Sequence, residues 1–317
     1  KQWLSFIFSK HFIKHILLIG IAFIIFVLVL FKWFNILKMS SEKKVWFITG
    51  VSSGLGKQLA KEVLSQGQIV VGTFRKEAQV EAFNNENPGN SFGVLVDVSS
   101  TQMIIDGVKT IIDKFGKIDV VVNNAGYGIM GSIEEISDEE VRRQFEVNVF
   151  GVLTTIREVL LQMRKQRSGH IINITSIAGR IGSQGLGIYN ASKFALEGIG
   201  EALAAELKPL NIKVTNVEPG PFRTEWAGSS AEYDNTKIED YESTVGERIR
   251  GLQALSGNQP GNPEKAAKAI FKLAQLDEAP VHLPLGKIAY EVFDNVNNGL
   301  IEELAKFEEL GKNCDFE

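Results

Sequence analysis

From residue 44 onwards, short apolar runs that suit buried β-strands alternate with longer segments of helical spacing. The first run is KVWFITG at residues 44–50, and six more follow it along the chain. They cover residues 68–74, 91–98, 117–126, 170–176, 211–220 and 281–286. Strands that alternate with crossover helices form a parallel sheet covered by helices on both faces. The alternation therefore predicts an α/β fold with a doubly wound parallel sheet, in a single domain over residues 39–317.

Helical spacing predicts the elements between and after these strands. The clearest segments cover residues 100–115, about 138–166 and 189–207. Asn262 and Pro263 suit the N-cap and the first position of a further helix. The final segment carries apolar residues at helical spacing and is predicted to pack back on the domain. These residues are Val292, Phe293, Val296, Leu300, Ile301 and Leu304.

The composition argues against several classes of protein. The formal net charge of -4 gives no reason to expect a nucleic-acid partner. Cys314 is the one cysteine, so a disulfide framework within the chain is excluded and a cytoplasmic catalytic domain is expected. The four histidines and the carboxylates show no zinc-ligand spacing, so no metal site is predicted.

Residues 1–38 differ from the rest of the chain. They carry five lysines and no acidic residue, and residues 16–31 are uncharged and almost wholly apolar. A membrane-spanning helix needs about 20 such residues, so one interpretation is a membrane anchor over residues 16–37. The other interpretation is that residues 1–38 are non-native upstream sequence, because the first methionine is Met39. The sequence leaves both interpretations open.

The first predicted strand ends in the glycine-rich turn TGVSSGLG, residues 49–56. The first β-to-α turn of a doubly wound sheet binds phosphate, because its free N–H groups and the helix dipole attract an anion. The turn also fits G-x-S-x-G, which would make Ser52 the nucleophile of a serine hydrolase. A hydrolase needs a partner histidine and several earlier strands, whereas one strand precedes Ser52 and neither His170 nor His282 has distinctive surroundings. Phosphate binding is therefore favoured, with the hydrolase as the alternative.

A second set of polar residues follows the later strands. Tyr189 and Lys193 lie four residues apart in YNASK, on one face of a predicted helix. A nearby ammonium stabilises phenolate and lowers the pKa of a tyrosine from its ordinary value of about 10. Ser176 ends the fifth strand, at the sheet edge where α/β sites lie. Asn148 interrupts an otherwise apolar helix face, where an amide needs a polar partner.

The chain also carries Asp97-Val98, NNAG at residues 123–126 and PGPFRT at residues 219–224. Together, these stretches resemble the short-chain dehydrogenase/reductase family. The resemblance implies a Rossmann-type domain and NAD(P)-dependent oxidation of alcohols or reduction of carbonyls. The arrangement VVGTFRK…PGPFRT…HLPLG, with a long C-terminal helix, also resembles the 17β-hydroxysteroid-dehydrogenase-like branch, which favours a hydrophobic alcohol, ketone or aldehyde as substrate. The matching stretches are TGVSSGLG (49–56), Asp97-Val98, NNAG (123–126), Asn148, Ser176, YNASK (189–193) and PGPFRT (219–224).

The resemblance implies a role for each residue of the catalytic set. Tyr189 would be the general acid/base, and Lys193 would lower its pKa and hold the nicotinamide ribose. Ser176 would polarise the substrate carbonyl, and Asn148 would hold a water in a proton relay. The implied cofactor-binding residues are Thr49, Gly50, Ser52, Ser53, Gly54, Leu55, Gly56, Arg75, Lys76, Asp97, Val98, Asn124, Ala125, Gly126, Tyr189, Lys193, Pro219, Gly220 and Thr224.

The end of the second strand predicts which nicotinamide cofactor is preferred. An NAD enzyme carries an acidic residue there to bind the ribose 2′-hydroxyl. This chain has Phe74 at about that position, followed by Arg75 and Lys76. A guanidinium can bind a 2′-phosphate bidentately, whereas a carboxylate would repel it. The sequence therefore predicts that NADP(H) is preferred over NAD(H).

The substrate loop and the partners are less constrained. Residues 182–188 and 225–255 are expected to form the loop, and the helix over 138–166 resembles the dimer surface of the family, which implies a homodimer or homotetramer. A dinucleotide-binding sensor or scaffold without turnover is the alternative to an enzyme. The residues expected to give the loop an apolar wall are Leu186, Ile188, Phe222 and Trp226.

Overall fold

The strands of this computed structural model follow the alternating apolar runs of the sequence. The structure describes residues 20, 21, 23, 25–27, 42–228, 231–234 and 238–316. The strands are β1 (Val45–Ile48), β2 (Ile69–Phe74), β3 (Ser91–Leu95), β4 (Val120–Asn123), β5 (Gly128–Met130), β6 (Gly169–Ile174), β7 (Ile212–Pro219), β8 (Ala231–Tyr233) and β9 (His282–Leu285). Seven of them form a parallel sheet in the order β3-β2-β1-β4-β6-β7-β9, while β5 pairs with β8.

The strand order reverses beside β1, and this reversal positions the site. From β1 the chain passes outward through β2 to β3, then returns to place β4 on the other side of β1. Ile48 pairs with Val122, so β1 and β4 end side by side. Their following loops diverge to opposite faces of the sheet, which opens a crevice at the carboxyl ends of the strands.

Helices cover both faces of the sheet, as the alternation predicts. One apolar core includes residues of α1 and α8, and a second, on the other face, includes residues of α3, α5 and α6. Asn262 caps α8, accepting hydrogen bonds from the backbone N–H groups of Glu264 and Lys265 at 2.8 and 3.1 Å. The helices are α1 (Gly54–Ser65), α2 (Glu77–Glu86), α3 (Thr101–Phe115), α4 (Asp138–Phe145), α5 (Gly151–Gln166), α6 (Gly187–Leu207), α7 (Glu247–Leu255), α8 (Pro263–Leu273), α9 (Lys287–Lys306) and α10 (Glu308–Lys312).

A π-helical turn interrupts the helix predicted over residues 138–166. The turn covers Glu146–Phe150 and separates α4 from α5. Asn148 lies at its centre and is 1% exposed. A π turn has one more residue than an α turn, so the wider turn breaks the regular helical spacing at the polar residue. Such turns are frequent at functional sites.

The C-terminal helix α9 packs on the domain only in its first half. Val292, Phe293 and Val296 are partly buried there, and the Arg180 guanidinium lies 5.4 Å from the centroid of the Phe293 ring. From residue 297 to 316, every residue is exposed. The prediction that Leu300, Ile301 and Leu304 pack back on the domain is therefore wrong. A helix of 20 residues extends about 30 Å, and its far half continues beyond the support of the edge strand β9.

The N-terminal segment is a separate unit. The chain divides into residues 1–43 and residues 44–317. Residues 20, 21, 23 and 25–27 of the first unit are helical, and the rest of the anchor predicted over 16–37 lies outside the described residues. Among the residues that the structure describes, no helix has the length and apolar character needed to cross a membrane.

The stability of the fold should depend on pH through His170, which is 2% exposed at the start of β6. Burial, together with Lys213 and Lys44, lowers its pKa from 6.5 to about 3. The unfolded chain therefore binds a proton between pH 6.5 and 3 that the folded chain does not bind, and stability falls as the pH drops through this window.

We expect His170 to reduce the free energy of unfolding by about 2 kcal/mol between pH 7.5 and pH 5. In His170→Asn this dependence should be absent, since an amide does not titrate. Urea unfolding of both chains at the two pH values measures it. Equal slopes in the two chains would contradict the assignment.

Candidate active site

The glycine-rich turn after β1 adopts a backbone that requires glycine. Gly50 and Gly54 have φ angles of +70° and +58°, in the left-handed region. Gly56 is required for space: a Cβ there would lie 2.3 Å from Asn124 Nδ2 and 2.4 Å from the Gly50 carbonyl oxygen. The Asn124 amide donates hydrogen bonds to the carbonyls of Thr49 and Gly50, both at 2.9 Å. The loop after β4 thereby holds the loop after β1.

Two threonines complete this connection. The Thr49 hydroxyl accepts hydrogen bonds from the backbone N–H groups of Asn124 and Ala125, both at 3.0 Å. The Thr73 hydroxyl on β2 accepts a 2.8 Å hydrogen bond from the Gly50 N–H. Sequence reasoning missed Thr73, which lies in an apolar strand and carries no motif signal. The turn is thus fixed from both neighbouring strands.

A cleft of about 1270 Å³ extends from this turn over the carboxyl ends of the strands. Thr49, Gly56 and Asn148 do not line it; all three are buried behind its wall. The predicted apolar wall is present except for Ile188. The predicted site residues that line the cleft are Gly50, Ser52, Ser53, Gly54, Leu55, Arg75, Lys76, Asp97, Val98, Asn124, Ala125, Gly126, Ser176, Tyr189, Lys193, Pro219, Gly220 and Thr224.

One end of the cleft is formed by the residues that follow β2 and β3. Phe74 is 6% exposed and packs on Phe83 with ring centroids 5.2 Å apart. Arg75 is exposed, lines the cleft and has no ion-pair partner within the described part of the chain. Asp97 accepts hydrogen bonds from the backbone N–H and the hydroxyl of Ser99, at 2.9 and 2.7 Å. This end therefore combines a free guanidinium with an oriented carboxylate.

The other end contains Tyr189, which is 4% exposed. Burial raises its pKa to about 12, and hydrogen bonding to Ser176 and to Trp226 opposes the rise. The sequence predicts that the pKa of Tyr189 is lowered. In the structure of the chain alone, the pKa of Tyr189 is raised instead. The physical reason is that Tyr189 is desolvated while the Lys193 Nζ lies 5.7 Å from the centroid of its ring.

Lys193 is buried one helical turn after Tyr189, on the same face of α6. Its Nζ donates a 2.9 Å hydrogen bond to the carbonyl of Ile174, at the end of β6. Burial lowers its pKa to about 8, and the Glu197 carboxylate acts in the opposite direction. The ammonium is therefore present at neutral pH and is lost in mildly alkaline solution.

The Asn148 amide is fully engaged within the chain. Its Oδ1 accepts from the Tyr127 N–H at 3.2 Å, and its Nδ2 donates to the Tyr127 carbonyl at 2.9 Å and to Ser192 Oγ at 3.1 Å. Ser192 Oγ in turn donates to the Tyr189 carbonyl at 2.8 Å. Asn148 thus connects the loop after β4 to the helix that carries Tyr189 and Lys193.

A charged cluster begins one helical turn beyond Lys193, at Glu197. It consists of the buried Glu197 and Glu218 and the partly buried Arg180 and His282. Arg180 Nη2 is 2.9 Å from Glu218 Oε1 and 3.4 Å from Glu197 Oε2. Burial raises the pKa of Glu218 to about 8, with Glu197 acting in the same direction and Arg180 opposing it. The ligand atoms of Glu197, Glu218 and His282 lie within 4.8 Å of one another, close enough to share a cation, but Arg180 supplies positive charge there. Sequence reasoning missed this cluster because its members come from separate elements.

The surroundings of Ser52 do not suit a hydrolase. No histidine is among the residues that line the cleft in the described part of the chain. His170 is buried at the opposite end of β6 from the cleft, and His282 contacts Arg180 and Glu218. Among the described residues, therefore, no histidine lies beside Ser52 in the cleft.

Comparison with known proteins agrees with this geometry. A model of the family described as short chain dehydrogenase matches residues 44–235. The chain belongs to this family. It is an NAD(P)-dependent oxidoreductase that acts on CH–OH groups, built on a Rossmann-like fold.

Individual relatives cover most of the chain. It is 38% identical to an oxidoreductase named BOA17 from Botryotinia fuckeliana, over 84% of this chain and 97% of the relative. It is 36% identical to a 3-ketodihydrosphingosine reductase from Bacteroides thetaiotaomicron, over 84% of this chain and 96% of the relative. The crystal structure of a short-chain dehydrogenase from Streptomyces avermitilis is 34% identical, with a TM-score of 0.82 over 87% of this chain and 99% of that one.

Other short-chain dehydrogenase structures hold a nicotinamide cofactor. The structure of ElxO with NADP bound is 26% identical, with a TM-score of 0.64 over 77% of this chain and 97% of that one. A 3-ketoacyl-(acyl-carrier-protein) reductase from Brucella melitensis was solved with NADH, at 27% identity, with a TM-score of 0.65 over 77% of this chain and 97% of that one. A nicotinamide cofactor is thus common to these neighbours, and its type differs among them.

The contact between Gly56 and Asn124 generates a stability prediction. Gly56→Ala places a methyl group against the Gly50 carbonyl and the Asn124 amide, so the free energy of unfolding should fall by about 1–3 kcal/mol. Gly198→Ala is the matched control, because Gly198 is an exposed position of α6 with nothing within 4 Å of an added Cβ. The control should raise stability by about 0.5–1 kcal/mol. Denaturant unfolding measures both, and similar values for the two variants would argue against a close contact at Gly56.

Proposed function

We propose that the chain is an NADP(H)-dependent oxidoreductase for hydrophobic alcohols and carbonyls, with Tyr189 as its acid–base group. The observation that carries the proposal is the convergence of Tyr189, Ser176 and Lys193 at one end of a cleft that the glycine turn after β1 also lines. Asn148 joins the set as a positioning residue, through Tyr127 and Ser192.

The residues present fit a dinucleotide. Gly50 and Gly54 leave the turn without side chains where a pyrophosphate would lie against the N-terminus of α1. Asp97 and Val98 would contact the adenine, and Asn124 to Gly126 would form the wall beside the adenosine. Lys193 would hold the nicotinamide ribose, with Pro219, Gly220 and Thr224 at the nicotinamide end. When bound, the cofactor supplies a hydride to the substrate carbon.

The reaction then needs one proton, which the chain supplies. In carbonyl reduction, the Tyr189 hydroxyl donates its proton to the substrate oxygen, so that hydride and proton together convert C=O to CH–OH. Ser176 donates a hydrogen bond to the same oxygen and orients it. The Lys193 ammonium stabilises the phenolate that remains until Tyr189 takes a proton back from solvent. In alcohol oxidation the proton moves in the reverse direction.

The pH dependence of carbonyl reduction follows from these groups. Tyr189 keeps its proton to high pH, whereas Lys193 loses its ammonium charge near pH 8. We expect kcat/KM for reduction to be flat from pH 6 to 7.5 and to fall as the pH rises through about 8. Steady-state rates with NADPH from pH 6 to 10 measure this, and a flat profile to pH 10 would contradict the role of Lys193.

Tyr189→Phe provides the direct test of the mechanism. It should lower kcat by about 10²–10⁴-fold at every pH, because the proton donor is removed. The free energy of unfolding should change little, since the ring and its packing remain. Unchanged turnover across a panel of carbonyls would leave a dinucleotide-binding sensor or scaffold as the better proposal.

The preference for NADP(H) rests on the residues after β2. Phe74 is buried where an acidic residue would bind a ribose hydroxyl, and the exposed Arg75 is free to pair with a 2′-phosphate. Lys76 lies beside it at the cleft. A guanidinium and an ammonium at this position, with no ion-pair partner among the described residues, favour the cofactor with the additional negative charge.

Arg75→Ala tests this preference. It should raise KM for NADPH at least tenfold, equivalent to about 1.4 kcal/mol, and change KM for NADH less than threefold. Arg142→Ala is the matched control, since Arg142 is an exposed arginine outside the cleft. Wild-type kinetics that are equal or better with NADH would overturn the NADP(H) proposal.

The substrate class follows from the lining beyond Tyr189. Leu186, Trp226, Leu252 and Leu255 give this part of the cleft an apolar surface. A hydrophobic alcohol, ketone or aldehyde would bury its apolar surface there, and the 3-ketodihydrosphingosine reductase among the relatives supports this class. Membership of the 17β-hydroxysteroid-dehydrogenase-like branch stays a prediction.

A second copy of the chain is the proposed protein partner. Phe150 and Leu161, on the π turn and α5, are 51% and 49% exposed, and a homodimer or homotetramer would cover them. A cytoplasmic catalytic domain, with or without an anchor over residues 16–37, remains a sequence-based prediction.

A further inference from the structure

The indole of Trp226 lies against the Tyr189 ring, on the substrate side of the cleft. The ring centroids are 5.1 Å apart and the planes are tilted by 49°. Nothing fits between rings at this distance, so a substrate cannot enter between them. With Tyr189 only 4% exposed, the indole is part of what covers it.

The indole is positioned from two sides. The Trp226 backbone N–H donates a 3.3 Å hydrogen bond to Thr224 Oγ1, which begins the short turn Glu225–Ala227. The indole itself packs closely on Gly128, where an added Cβ would lie 3.1 Å from Trp226 Cζ2 and 3.4 Å from Tyr189 Cδ2. Gly128 is not among the residues with positive φ, so its backbone conformation does not require glycine. Glycine is required there because a side chain would collide with the two rings.

The indole also belongs to a continuous apolar surface. Trp226 packs with Leu252 and Tyr233 against a buried cluster that includes Met130 and Leu186. Trp226, Leu186 and Leu252 line the cleft, so the cluster faces the substrate as well as the core. Trp226 presents a large flat side chain where this surface meets Tyr189.

We propose that Trp226 is the specificity-determining residue, and that it selects flat apolar substrates by exchanging its contact with the Tyr189 ring for a contact with the substrate ring. This inference rests on the proposed function of Tyr189. A ring-bearing substrate replaces the aromatic contact that the indole gives up, and apolar burial adds to it. A small aliphatic carbonyl has no surface to replace that contact and therefore binds weakly.

The test compares Trp226→Ala and Trp226→Phe with the full-length wild-type chain. The probe is 2-acetylnaphthalene, a flat ketone, and its dissociation constant is measured by titration calorimetry without cofactor. Trp226→Ala should weaken binding at least tenfold, whereas Trp226→Phe, which keeps an aromatic ring, should weaken it less than threefold. Equal affinity in wild type and Trp226→Ala, or no binding to wild type, would overturn the inference.

Tyr241→Ala controls for general loosening of the substrate loop. Tyr241 packs on the same cluster but does not line the cleft, and its hydroxyl donates to Glu134 at 2.6 Å. We expect an affinity within twofold of wild type for this variant. A loss as large as that in Trp226→Ala would assign the effect to the loop and overturn the role of the indole.

Steady-state kinetics give a second readout. With NADPH, Trp226→Ala should raise KM for 2-acetylnaphthalene at least tenfold and lower KM for 2-butanone, because the small ketone no longer has to displace the indole. Parallel changes for both ketones would overturn the inference. Tyr189→Phe separates it from the proposed function, because that variant should lose turnover and still bind 2-acetylnaphthalene like wild type.

Discussion

The hydrogen bonds from the Asn124 amide to the Thr49 and Gly50 carbonyls hold together the two loops that define the site. These loops follow adjacent strands but lead to opposite faces of the sheet, and their separation creates the crevice. Without a connection between the loops, the width of the crevice would not be fixed. The amide fits only because Gly56 has no side chain. One close approach of polar groups thus determines where the glycine turn, the start of α1 and the floor of the cleft lie.

At the end of the cleft that contains Tyr189 and Lys193, two ionisable groups are buried at a cost in desolvation free energy. A phenol and an ammonium are both removed from water, which raises the pKa of Tyr189 and lowers the pKa of Lys193, although Lys193 remains an ammonium at neutral pH. Lys193 is compensated by the Ile174 carbonyl and by Glu197, whereas Tyr189 relies on Ser176 and Trp226. The chain alone therefore holds Tyr189 as a proton donor.

The parallel sheet could be predicted because it depends on local patterns: apolar runs predict buried strands, and glycine spacing predicts the turn after β1. The site residues are implied by the family resemblance, and most of them line the cleft. What could not be predicted depends on contacts between distant segments. Thr73 looks like an ordinary strand residue, the pKa of Tyr189 depends on desolvation by the folded chain, and the burial of α9 depends on where the sheet ends. The cluster of Arg180, Glu197, Glu218 and His282 has no spacing that the sequence alone reveals.

The π turn at Glu146–Phe150 has a consequence for how the sequence tolerates length changes. Deletion of one residue there would convert the wide turn to ordinary α-helical spacing, which lets the flanking helices continue without interruption. The backbone would become more regular, but Asn148 would rotate away from Tyr127 and Ser192. A change that simplifies the helix would therefore disconnect the loop after β4 from α6. At this position, the irregular backbone keeps Asn148 in contact with both the loop after β4 and α6.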